Sequence, residues 1–301
     1  MAVLEIKMRP IYKIMFFASM ALTVAAIVVT AFFGLRLGVD FKGGALMELS
    51  FEKSRPSTME LKDIIGAVSG TKDINISPVG DLGVLIRLND IDEQTHQNIK
   101  GKISEKFGRV TENRFDSIGP TIGKELRSKS ISAIVVLLFV VSLYIAFVFR
   151  KMSRVLSPWA MGLAAIVALV HDIVVPVGIF ALLGHFFNIE ITAVFVAAAL
   201  TILGYSLSDS VVIFDRVREN VLRLGVREGF AALVHKSVMQ TLVRSLNTTF
   251  TTLLSLLAIY LFGGETIRYF ALALIIGIFL GAYSSVFVAA PLLVWFSGKR
   301  S

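Results

Sequence analysis

The stretch ITAVFVAAALTILGYSLSDSVVIFDRVREN, residues 191–220, decides how the whole chain is read. From Ile191 to Leu203 it is apolar apart from two threonines, and a basic, helical-looking segment closes it. Asp209 falls between, with Asp215 the next charge. An apolar run of this kind reads as part of a membrane span. A carboxylate there costs at least about 2.5 kcal/mol on insertion scales, so it turns inward and needs partners. Asp209 is therefore the first residue to explain.

The rest of the chain supports the membrane reading. Of its 301 residues, 55% are hydrophobic, and mean hydropathy is +0.76. Six spans follow from the apolar runs, at about 11–33, 130–149, 158–184, 189–214, 238–262 and 267–296. Each is long enough for a hydrocarbon core of roughly 30 Å. The chain has no cysteine, which excludes disulfides and thiolate metal sites. The first span follows Lys7, Arg9 and Lys13 with no Ala-x-Ala site after it, so we expect a retained helix, not a removed signal peptide.

Charge fixes the expected orientation. Arg150, Lys151 and Arg154 lie between spans two and three, Arg216, Arg218, Arg223, Arg227 and Lys236 between four and five, and Lys299 and Arg300 after six. On the opposite side the short loop GHFFNIE has no Lys or Arg, and GGETIR has only Arg268. Basic loops face the cytoplasm, so both termini are expected inside. The net charge of +8 is then a matter of topology, and no nucleic-acid partner is required. We expect residues 1–34 to be the N-terminus and first span, 35–129 an outer domain, and 130–301 the remaining spans.

The outer domain has its own pattern. ALMELSFE alternates Met47, Leu49 and Phe51 with Glu48, Ser50 and Glu52, as a half-buried strand does. Ser57 and Glu60 form a capping box for a helix ending at Gly70. INISPV and GVLIRL read as strands about the turn Gly80–Asp81, Asp90 with Glu93 opens a helix to about Phe107, and VTENRFDSI is a last strand. The order strand-helix-strand-strand-helix-strand predicts a small α+β ferredoxin-like domain. It lacks the clustered His or carboxylates of an enzyme site.

Within the spans, polar residues fall in stripes. Thr201, Tyr205, Ser208 and Asp209 share one face of span four. RSLNTTFTTLLS gives Arg244, Asn247, Thr248, Thr251, Thr252 and Ser255 on span five. Counted from the joining loop at ~1.5 Å per residue, Asp209 and Arg244 lie at equal depth, so an ion pair between them is expected. Two readings stay open: a structural pair with hydroxyl contacts between helices, or a hydrated path for an ion. His171 and Asp172, near the middle of span three with Pro176 a turn later, are secondary candidates. Imidazole and carboxyl can pass a proton, or can hydrogen-bond a neighbouring helix. Gly277 and Gly281 suit close helix packing. Asp40, Gly43 and Gly44 in DFKGG read as a hinge or as a turn into the first strand.

GVDFKGG (38–44), IGPTIGKEL (118–126), HDI (171–173), GYSLSDSVVIFDRVREN (204–220) and YLFGG (260–264) together resemble the SecD/SecF family of export membrane proteins, on its SecF side. The resemblance covers essentially the whole chain, in order. It implies half of a resistance-nodulation-division (RND) transporter: six transmembrane helices and one small extracytoplasmic domain. It also implies a cell-membrane protein that works with SecD and the SecYEG channel, with YajC and YidC as further partners. Such a protein draws preproteins outward with the proton-motive force after SecA has acted. It associates Asp209 and Arg244 with proton passage, which makes Tyr205, Ser208, Asn247, Thr248 and Thr251 the expected pathway lining. No cofactor is implied beyond the coupling ion, H+ with Na+ as rival. The short basic tail suggests a separate subunit, not the second half of a fusion. A component of an RND exporter for small molecules or lipids is the alternative, and would normally carry larger outer domains. A scaffold with purely structural charges is a third reading, and a membrane enzyme is the least supported.

Overall fold

The computed structural model describes residues 10–70, 73–152, 155–226 and 229–297. Lys7, Arg9, Arg154, Arg227, Lys299 and Arg300, counted in the charge pattern, lie outside the described residues. The chain forms two compact units, Met1–Arg36 with Ser132–Ser301, and Leu37–Ile131. Among the described residues six helices are long and apolar enough to cross a membrane.

The smaller unit begins with a single turn, α2 (Val39–Lys42), and continues β1 (Gly44–Phe51), α3 (Thr58–Ser69), β2 (Asn75–Val79), β3 (Gly83–Leu88), α4 (Glu93–Phe107) and β4 (Val110–Ile118). The sheet order is β2-β3-β1-β4 with every pairing antiparallel, the split ferredoxin-like arrangement. Alternation puts Met47, Leu49 and Phe51 in the core with Leu61, Ile65, Ile86, Ile99 and Ile103. Ser57 caps α3, accepting from the Glu60 amide at 3.3 Å and donating to its carboxylate at 2.9 Å. The cap of α4 is Asp92, accepting from the Thr95 amide at 2.8 Å, and not Asp90, which instead accepts from Ser117 at 2.6 Å.

The larger unit contains α1 (Pro10–Phe33), α5 (Pro120–Val148, its first turns in the smaller unit), α6 (Pro158–Phe187), α7 (Ala193–Leu224), α8 (Phe230–Phe262) and α9 (Glu265–Ser284). A π-helical segment, Ser285–Ala289, follows α9 and leads to α10 (Ala290–Ser297). Helices α5, α7 and α8 extend well past the apolar runs. The C-terminal end of α7 is held by ion pairs suited to water, such as Asp215–Arg218 at 2.9 Å. Helix α6 packs on α1, α7 and α9. Small residues allow close approach: a Cβ on Gly178 of α6 would lie 2.7 Å from the Ala26 Cα of α1, and between α9 and α7 one on Gly277 would overlap Ile202 and one on Gly281 would lie 2.9 Å from the Ser206 Cβ. Most of α5 is peripheral, exposing Val135, Val136, Phe139, Val140 and Phe147.

Candidate functional site

The site gathers where α6, α7, α8 and α9 meet. Asp209 of α7 is half-buried. Its Oδ1 accepts from Ser245 Oγ of α8 at 2.5 Å, and its Oδ2 from Ser285 Oγ at 2.6 Å. The carboxylate is thus held by two hydroxyls from two different helices, each aimed at one oxygen. A charged acceptor strengthens such bonds in a low-dielectric setting.

The expected Asp209–Arg244 pair is not formed. Among the described residues Asp209 makes no ion pair, and Arg244 is exposed on α8. The reason is rotational. Consecutive helical residues lie about 100° apart, so α8 can turn either Arg244 or Ser245 toward α7. The compact hydroxyl fits the close approach, and a guanidinium would hold the helices apart. The buried stripe of α8 is accordingly Ser237, Thr241, Ser245 and Thr249, spaced by four. The other stripe, Arg244, Asn247, Thr248, Thr251 and Ser255, is exposed, as are Thr201 and Ser208 of α7. Its threonines bond their own helix, Thr248 to the Arg244 carbonyl at 3.1 Å and Thr251 to that of Asn247 at 3.0 Å. Tyr205 reaches inward, donating to Thr249 Oγ1 at 3.4 Å. The sequence-selected residues therefore divide. Asp209 and Tyr205 join the buried network, while Ser208, Arg244, Asn247, Thr248 and Thr251 form a neighbouring polar face.

A second carboxylate lies on α6. Asp172 and His171 are fully buried. Asp172 Oδ1 contacts His171 Nδ1 at 2.8 Å, while Oδ2 accepts from Ser206 Oγ at 2.5 Å and Ser284 Oγ at 2.7 Å. Pro176 has no N–H to return to the Asp172 carbonyl. Sequence reasoning missed Ser206, Ser245, Ser284 and Ser285. The spacing of four in α8 could have pointed to Ser245. Ser284 is 112 residues from Asp172, and no local pattern announces it. Among the described residues no group of three or more His, Asp or Glu side chains could hold a metal ion.

Asp40, Gly43 and Gly44 belong to the smaller unit. Gly43 has φ +80° and Gly44 φ +134°. A Cβ on Gly43 would sit 2.7 Å from the Pro120 Cα, and one on Gly123 only 2.9 Å from the Gly43 nitrogen. The turn into β1 packs backbone against the start of α5, an approach only glycine permits.

Residues 98–299 match the family model described as protein export membrane protein SecD/SecF, C-terminal, and residues 28–54 match the SecD/SecF GG motif. The chain is 43% identical over 281 residues to the protein translocase subunit SecF of Thermobaculum terrenum, covering 89% of this chain and 86% of that one. It is 38% identical to the SecF of Anaerolinea thermophila over 292 residues, covering 95% and 93%. The crystal structure of SecDF, a translocon-associated membrane protein from Thermus thermophilus, superposes with a TM-score of 0.82 at 31% identity, over 99% of this chain. This chain spans 40% of that longer one.

Proposed function

The chain belongs to the SecD/SecF family of protein-export membrane proteins, and from that premise we propose that it converts an ion gradient into movement of a preprotein. Kinship and six spanning helices make it a multi-pass membrane protein and a protein translocase subunit. In our reading the proton-motive force drives late, SecA-independent steps of passage through SecYEG. In this reading both termini lie in the cytoplasm, which the basic loops support, and residues 35–129 lie outside. A SecD subunit is the companion, with YajC and YidC as further neighbours.

The observation that carries the reading is Asp209 within an apolar helix, held by two hydroxyls. An ionised carboxylate only accepts, so Ser245 and Ser285 both donate to it. Once protonated, it must donate through one oxygen, and a hydroxyl has to turn away. Ser285 has another acceptor in reach, the Ala282 carbonyl at 2.9 Å. One proton therefore alters a contact between α7 and the end of α9. Hard metal cations gather larger oxygen cages, which favours the proton over sodium. A charge crossing 100 mV releases ~2.3 kcal/mol, and a full two-state switch takes ~5.5 kcal/mol. One proton at that potential biases the switch without completing it, so more than one proton, or the load of the substrate, is needed. The exposed face around Arg244 supports a membrane partner, since a cation in a span needs polar cover. The SecDF chain, of which this one matches 40%, is consistent with SecD in that place.

Export into sealed vesicles tests the proposal, with a proton gradient imposed and then collapsed. Asp209→Asn keeps size and removes titration. The gradient-dependent part of export is expected to fall to background while insertion and partner binding persist. Undiminished gradient-dependent export by this variant would exclude the role.

A further inference from the structure

Two carboxylates in this unit are read by one turn of α9. Ser284 donates to Asp172 at 2.7 Å and Ser285 donates to Asp209 at 2.6 Å. Each hydroxyl also has a second acceptor on the preceding turn of its own helix. For Ser284 it is the Gly281 carbonyl at 3.2 Å, and for Ser285 that of Ala282 at 2.9 Å. Each serine can thus point to its carboxylate or back to its helix, and both choices belong to residues 281–285. The π segment starts at Ser285, closed by the Ala290 amide bonding the Ser285 carbonyl. Such wide turns in α-helices recur at functional sites.

His171 adds a separate observation. Its Nδ1 contacts Asp172, but its Nε2 is fully buried without a protein partner among the described residues. A proton arriving at Nε2 makes an N–H with no partner there, so the loaded form is the costlier one and gives its proton up readily. Neutral imidazole donating from Nδ1 leaves a lone pair at Nε2, the arrangement in which an aspartate orients a histidine to take up a proton. Among the described residues the titratable group against Asp172 is His171 on its own helix, and Tyr283 of α9 faces His171, its ring 6.4 Å away. Helix α7 presents Ser206, one turn before Asp209. Helix α1 contributes Ser19, a neutral hydroxyl bonded to Tyr283 at 3.1 Å.

We propose that Asp172 with His171 is a second proton-holding site, and that the Ser284–Ser285 turn links its occupancy to that of Asp209. In the loading step an N–H bond forms at His171 Nε2, the Nδ1–H bond breaks, and an O–H bond forms on Asp172 Oδ1. The imidazole ends neutral in its other tautomer, and one proton is stored. Asp172, no longer ionised, loosens its hold on Ser284, which turns to the Gly281 carbonyl and displaces the turn that carries Ser285. The inference rests on the ion-coupled reading of Asp209.

The test uses the full chain with its partner subunit in proteoliposomes, following proton uptake with an internal pH dye across a range of external pH. Asp209→Asn is the reference, and Asp172→Asn, His171→Gln and Ser284→Ala are the probes. Thermal midpoint and partner retention report folding. Wild-type uptake should vary with pH as steeply as two linked protons require. Asp172→Asn and His171→Gln should slow it about tenfold and reduce the steepness to one proton. Ser284→Ala, with both carboxyls intact, should split the single steep step into two shallow ones. If Asp209→Asn stops uptake while a folded Asp172→Asn keeps the wild-type rate and steepness, this inference falls and the proposed function stands. If Asp209→Asn leaves uptake intact, the functional reading itself falls. Should Asp172→Asn fail to fold, unchanged rate and steepness in both His171→Gln and Ser284→Ala would overturn the inference.

Discussion

Asp172 and Asp209 are the same residue type on adjacent helices, each held by two serines, yet they live in opposite surroundings. Asp172 is closed in, with no exposed surface and a histidine at its side. Asp209 is half-exposed and borders the polar face of α8. Both bind hydroxyls from α9, one residue apart. The difference teaches that a buried acid and an accessible one can share one reporter element. The closed acid is sealed among α6, α7 and α9, and the open acid borders the exposed polar face.

The largest effect should come from emptying the closed site. Asp172→Ala strands the His171 N–H and the Ser206 hydroxyl in the buried core, with an expected loss of about 3–5 kcal/mol. Asp209→Ala, at a half-exposed position, should cost about 1–2 kcal/mol. Denaturation of the two variants in detergent measures both, and equal losses would break the contrast. Gly281→Ala sharpens it from the packing side. The new Cβ would lie 2.9 Å from that of Ser206 and push it off Asp172, at about 1–3 kcal/mol. The change should leave the Asp209 contacts nearly intact, as the reactivity of that carboxyl toward a carbodiimide would report. Ser245→Ala removes a hydrogen bond from the open acid alone, and about 1 kcal/mol of stability is expected to go with it.

A carboxylate of the smaller unit provides the smallest effect. Burial works to raise Glu112, but hydrogen bonds from Lys100 and His96 outweigh it and hold the carboxyl below its ordinary value of 4.5. A depressed folded value means that its contribution is complete above about 4.5 and fades as pH falls through that range and below. Glu112→Gln should therefore lower stability near neutral pH, by no more than about 1 kcal/mol. Melting curves of variant and wild type should converge in acid, and a constant gap down to strong acid would contradict the account.

Much of the fold was legible because each element carries its own period. Hydropathy found the six helices, and alternation at Met47, Leu49 and Phe51 found the first strand. The Ser57–Glu60 capping box found α3. Charged and polar helix extensions were not legible from apolar runs, so α5 and α8 begin earlier than expected. The site was legible only in part. Asp209 and Asp172 stand out as acids in apolar surroundings, but their partners come from remote helices. The stripe at Arg244 misled because threonines in a span can satisfy themselves on their own backbone. A row of hydroxyls therefore does not reveal which side faces the bundle. Burial of Ser237, Thr241, Ser245 and Thr249 decides it.

The π turn between α9 and α10 inserts an extra residue into a coil that elsewhere repeats every 3.6. Upstream, Gly277 and Gly281 key the coil to α7; downstream, Trp295 sits edge-on to Phe16 of α1, ring centroids 4.5 Å apart. An unbroken α-helix would put these two faces out of phase by about 100°. The wide turn works as a vernier, letting the two halves of one rod mesh with different neighbours. Shortening the chain by one residue there would force a choice between the two gears.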